Sequence, residues 1–179
     1  MKQLFTLVLI SLGFLSLNAQ SNGVDTVTTF PDWEDLFQYH TYYISAQPDL
    51  EELKWLKEQG ITKIVNLRTD EENKTFSKES FNEKREARKL GIDYKSLPVD
   101  GYADYTPEKL GHFLELVDPG DKVLIHCKSG GRANTLFMAY LIKDEGYSVD
   151  RAVEIGKQIR FYLPLEDLLG VQIHMEIAE

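Results

Sequence analysis

Short apolar runs alternate with amphipathic stretches along most of this chain. Tyr42-Tyr43-Ile44-Ser45 reads as a first strand, and Gln47-Pro48-Asp49 then opens a helix with Leu50, Leu53 and Leu56 on one face and Gly60 as its stop. Residues 61–67 form the next strand, from whose end Arg68 pairs with Asp70 or Glu72 as a structural clamp. Residues 75–90 predict one helix ended by Gly91, and its run of Lys78, Glu79, Glu83, Lys84, Arg85 and Glu86 reads as a solvated face. A strand over 92–99 leads into a polar loop, after which Thr106 caps a helix with Pro107 in its first turn and Leu110, Phe113, Leu114 and Val117 on its apolar face. Val123, Leu124 and Ile125, bounded by Pro119-Gly120-Asp121, have the continuous apolar character of a strand covered on both sides. Residues 133–142 predict a buried helix. Ala152, Ile155 and Ile159 face inward from a helix over 149–161 that contains Gly156, Leu163-Pro164 breaks the chain, and a closing helix follows over 165–178.

This alternation predicts an α/β fold, with a central, mostly parallel four-stranded sheet flanked by helices, over residues 38–179. Residues 20–37 lack periodicity and read as a leader lying over the domain, with Trp33, Phe37 and Tyr39 tucked against it. Residues 1–19 have the layout of a secretory signal peptide: Lys2 in the charged end, an apolar core from Leu4 to Leu17, and Leu-Asn-Ala before Gln20. The mature protein is therefore expected to be exported, periplasmic or secreted, with no stable membrane association after cleavage.

Charge narrows the partners. The chain carries 20 basic and 29 acidic residues, a net charge of −9 that becomes −10 once Lys2 is removed. Such a body gathers neither nucleic acid nor anionic lipid non-specifically, so an anionic substrate must be drawn by a local field. His40, His112 and His174 show no metal-ligand spacing, and there is no glycine-rich nucleotide loop, so neither a metal nor a cofactor is expected.

That local field lies at 126–132, His-Cys-Lys-Ser-Gly-Gly-Arg, between the buried strand and the buried helix. Six residues from Cys127 to Arg132, two of them glycine, let backbone N–H groups turn inward beside the positive end of a helix, which makes an anion site. Cys127 is the sole cysteine, so it cannot form an internal disulfide, and with His126, Lys128 and Arg132 nearby its thiolate is favoured. A thiolate in an anion cradle is a nucleophile held where an anionic group docks, and Arg132 offers the two-pronged donor that suits an oxyanion.

These residues resemble the active-site loop of the cysteine-based phosphatases, the protein tyrosine and dual-specificity group. In that group five residues separate Cys from Arg; here four do, Lys128, Ser129, Gly130 and Gly131, a spacing similar to that of rhodanese sulfurtransferases and of the phosphatase-like domain fused to beta-lactamase-like hydrolases, which the chain resembles most. Ala133 stands where such phosphatases usually carry Ser or Thr. The resemblance implies Cys127 as nucleophile, Arg132 and the loop residues 128–131 as the phosphate cradle, His126 as support, and Asp100 as the acid that protonates the leaving group, with Asp104 as its rival. The implied substrate is a phosphorylated small molecule or peptide. The loop length implies a second reading, a sulfurtransferase that takes sulfur from a sulfane-sulfur donor as a Cys127 persulfide. A third is an inactive phosphate- or sulfate-binding module.

Overall fold

The computed structural model describes residues 26–160, 162 and 164–171. The signal-peptide reading at 1–19, residues 172–178 of the expected closing helix and His174 lie outside the described residues; within them that helix runs only over Glu166–Leu169 and is stopped by Gly170 in the left-handed region.

The chain is α/β, and its sheet has six strands in the order β1-β2-β3-β6-β4-β5. The four strands read from the sequence are β3 (Tyr42–Ser45), β4 (Lys63–Asn66), β5 (Asp93–Ser96) and β6 (Val123–His126), which pair in parallel. Two more lie outside that expectation. β1 (Thr28–Phe30) and β2 (Trp33–Tyr39) extend the sheet antiparallel to β3, so the stretch read as a leader contributes strands. Their sequence hides this because β2 buries only Leu36 and Tyr39 fully, out of step with a period of two, and β1 is three residues long with an irregular register. Trp33 and Phe30 both pack on Trp55 of helix α1 (Leu50–Glu58), which anchors the extension.

Side chains alternate across the pleat and divide the core in two. Val65, Leu67, Val123, Ile125 and Cys127 face the layer containing α4 (Pro107–Leu114), α5 (Gly131–Lys143), α6 (Val149–Ile159) and α7 (Glu166–Leu169). Ile64 and Leu124 face the opposite layer, with Leu53 and Leu56 of α1 and Ala87 of α3 (Glu83–Lys89). As expected, Thr106 accepts the N–H of Lys109 and caps α4. On α6, a Cβ at Gly156 would run into the Met138 side chain, so α5 and α6 approach so closely that any larger residue requires the buried Met138 to shift. Asn134 Nδ2 spans the same junction, donating to the carbonyls of Gly156 and Arg160 at 2.9 and 2.7 Å.

The expected helix over 75–90 is two helices. The first, α2 (Asp70–Glu79), starts earlier because Thr69 and Glu72 form a capping box, and α3 restarts at Asn82, whose side chain accepts the Arg85 N–H. Phe81 in the break packs into the core. The charge run is not wholly solvated either, since Glu83 is buried among polar groups. Arg68 is a clamp, but it holds Glu72 by the main chain and not by its carboxylate: Nη2 donates to the Glu72 carbonyl at 3.0 Å, Nη1 to Gln47 Oε1 at 2.5 Å, and the guanidinium lies over Phe76.

Candidate active site

Parallel pairing sends the ends of β3, β4 and β6 to one edge of the sheet, and the loop from Cys127 leaves β6 there. Cys127 is fully buried at the loop's base, and its Sγ accepts the Gly130 N–H at 3.1 Å. Gly130 precedes α5 with φ of 85°, and a Cβ there would meet Arg160 Cδ at 2.7 Å, so the turn that aims its amide at the sulfur requires glycine. Gly131 is buried beside it, whereas Lys128 and Ser129 form the exposed tip.

Arg132 reaches back across the mouth. Its Nη1 and Nη2 donate to the two carboxylate oxygens of Glu72, both at 2.8 Å, and Nη1 also donates to the Val99 carbonyl at 2.8 Å. Burial alone would lower the Arg132 pKa, but Glu72 and the adjacent Cys127 outweigh it and hold the group charged more firmly than an exposed arginine. Burial acts on Glu72 in the unfavourable sense too, yet Arg132 and the Thr69 N–H bring its pKa down to about 2. Glu72 thus both closes the capping box of α2 and fixes the guanidinium. A planar donor pinned on one edge keeps its remaining edge for a second anion.

Asp100 and Asp104 differ in their commitments. Asp104 Oδ2 accepts the Asp100 backbone N–H at 2.7 Å and lies 3.5 Å from Lys109 Nζ, so it staples the loop. Asp100 is exposed and follows Val99, whose carbonyl binds Arg132, so its backbone is tied to the mouth.

With that geometry the chain can be compared with known proteins. Residues 42–169 match the family model described as dual specificity phosphatase, catalytic domain. The chain belongs to that family. Dual specificity protein phosphatase 5 of Rattus norvegicus is 36% identical over 83 residues, covering 42% of this chain and 21% of that protein. The beta-lactamase hydrolase-like protein of Xylella fastidiosa is 29% identical over 113 residues, covering 63% of this chain and 26% of that protein. The chain therefore spans about a quarter or less of the length of these curated relatives. Among solved structures, Tk-PTP in its active form aligns with a TM-score of 0.54 at 27% identity, covering 66% of this chain and 79% of that one.

In this member of the dual specificity phosphatase family, His126 does not enter the mouth. It is fully buried on the opposite face of β6, with Nε2 3.2 Å from Glu83 Oε1 but no aligned hydrogen bond. Glu83 also accepts from Gln47 Nε2 at 3.0 Å, Asn66 Nδ2 at 2.8 Å and Tyr94 OH at 3.0 Å. Burial alone would raise the Glu83 pKa, but His126 and these donors lower it. This network holds β6 beneath the cysteine from behind.

Two residues of the site escaped the sequence reading. Glu72 was legible as a capping-box member, but its contact with Arg132 spans 60 positions and leaves no local mark. Tyr105 is buried with its hydroxyl unpartnered among the described residues, and its pKa is raised first by burial and then by Cys127. Nothing in the pattern of the 100–105 loop distinguishes it from an ordinary anchoring aromatic.

Proposed function

We propose that the protein is a phosphate monoesterase working through a cysteinyl-phosphate. The observation that supports this most is the meeting of one sulfur, served by the Gly130 amide at the start of α5, with one guanidinium locked by Glu72. Cys127 Sγ attacks phosphorus, forming S–P as the ester P–O bond breaks, and Asp100 gives its proton to the departing oxygen. Arg132 and the loop amides bind the equatorial oxygens, where charge is concentrated in the transition state. Water then attacks phosphorus, S–P breaks, Asp100 takes the water proton, and phosphate leaves. The substrate is a phosphorylated small molecule or peptide, and the signal-peptide layout of residues 1–19 supports an exported enzyme.

The four-residue loop supports a second reading, in which Cys127 accepts a sulfane sulfur and passes it to a thiol or cyanide. One set of assays separates them. The protein without residues 1–19 is incubated with p-nitrophenyl phosphate, and separately with thiosulfate and cyanide. Phosphate release that Cys127→Ser abolishes and Asp100→Asn slows by roughly 10²-fold or more is the expected result. Thiocyanate formation insensitive to Asp100→Asn gives the sulfurtransferase, and neither product leaves an anion-binding module.

A further inference from the structure

Glycine permits the turn at Gly130 but does not hold it. Without a Cβ its backbone visits both signs of φ at similar cost, so the φ of 85° that aims its amide at Cys127 Sγ must be kept by what packs around it. Two residues wall the turn. A Cβ placed on Gly130 would meet Arg160 Cδ at 2.7 Å, Arg160 Nε at 3.5 Å and the Ala46 backbone nitrogen at 3.7 Å.

Both walls lead to Asp35 on β2. Its carboxylate pairs with Arg160 Nη1, and its carbonyl accepts the Ala46 N–H at 3.2 Å. Topology makes this convergence possible. Leu36 of β2 lies opposite Ser45 of β3, and Ser45 lies opposite His126 of β6, so the start of β2 and the ends of β3 and β6 share one rim. One residue beyond Ala46, the Gln47 N–H donates to the Lys128 carbonyl at 3.4 Å and ties down the exposed tip of the loop.

Arg160 has little else to fix its side chain. It follows α6 with extended backbone, its Nε is buried without a partner, and Asp35 is the one hydrogen-bond partner of its guanidinium among the described residues. Asn134 Nδ2 donates to the Arg160 carbonyl, which places the main chain and leaves the guanidinium to Asp35. The Asp35 side chain is 51% exposed, and ion pairs as open as this add little to global stability, so the effect of this one is local.

We infer that Asp35 is a positioning residue of the active-site loop: through Arg160 it holds the Gly130 peptide, and with it the amides that receive an oxyanion above Cys127. Asp35 precedes the stretch 42–169 that matches the family model, so the β1–β2 hairpin becomes a working part of the site as well as an extension of the sheet. Charge and position predict opposite signs here. By charge alone, removing an acid beside an anion site strengthens anion binding. Removing a positioning residue weakens it.

The inference rests on the phosphatase reading for its role, but its test reads oxyanion binding. Inorganic tungstate, a stable tetrahedral oxyanion, is titrated calorimetrically into the protein, into Asp35→Asn, into Arg160→Ala and into the double variant. Each single substitution is expected to weaken binding about tenfold, and the double variant is expected to bind no more weakly than Arg160→Ala alone. Circular dichroism checks that the variants fold, and Asp35→Ser stands in should Asp35→Asn not do so. Unchanged or tighter binding without the Asp35 carboxylate, unchanged binding in Arg160→Ala, additive losses in the double variant, or no tungstate binding by the unsubstituted protein would overturn the inference. Turnover of p-nitrophenyl phosphate by the unsubstituted protein reads the phosphatase assignment separately. No turnover with the tungstate pattern intact removes that assignment and leaves Asp35 as the positioning residue of an anion cradle.

Discussion

At the scale of single residues, the site depends on a guanidinium whose position is set by a carboxylate on another element. Arg132 receives no fixed geometry from its own backbone, and the Glu72 fork supplies it. Glu72→Gln leaves an acceptor on only one prong and weakens the charge-assisted pair. With p-nitrophenyl phosphate, kcat/KM is expected to fall roughly 10- to 100-fold, mostly through kcat, as when a positioned donor drifts by about an ångström. The thermal midpoint should move by only a few degrees, because Glu72 is partly solvated.

At the scale of elements, the same glycines that shape the site also limit substitution. Gly156→Ala on an exposed helix would add about 0.5–1 kcal/mol of stability. Here the new methyl would run into Met138, itself fully buried. The expected outcome is a loss of about 1–3 kcal/mol, read as a lower midpoint in chemical denaturation with an unchanged m-value. This scale also shows what the sequence could and could not reveal. β3, β4, β6 and α5 were legible because burial on one or both faces writes itself as an apolar run or a helical stripe, whereas β5 buries none of its own four residues and is flanked by the buried Ile92 and Val99. β1 and β2 were not, because strands near an edge keep Thr, Asp and Glu outward and pack by a few aromatics. The split of α2 from α3 was hidden inside a charge-rich stretch whose one buried acid, Glu83, looks like its neighbours until β6 brings His126 against it. The loop 126–132 was legible whole, because its chemistry needs contiguous residues.

Across the whole molecule, two acids impose opposite pH trends on stability. Glu72 falls from an unfolded value near 4.5 to about 2 on folding, so its contribution is complete above about 4.5 and is lost as pH falls toward 2. Glu52 is pushed up to about 7, chiefly by burial, so the unfolded chain releases that proton first and stability declines as pH climbs from about 4.5 through 7. Thermal melts of the wild type and Glu52→Gln should coincide near pH 4.5 and diverge above it, with the variant more stable by roughly 1–3 kcal/mol at pH 8. A constant difference across that range would show that Glu52 does not titrate differently on folding.

The parallel arrangement of β3, β4, β5 and β6 has a practical consequence. Since every one of them delivers its outgoing connection to the same rim, their incoming turns lie at the opposite rim, among them the exposed one at Pro119 and Gly120. That far rim is where a reporter domain or an affinity handle can be spliced into the chain, or the molecule tethered to a bead, with the reactive rim left facing solution.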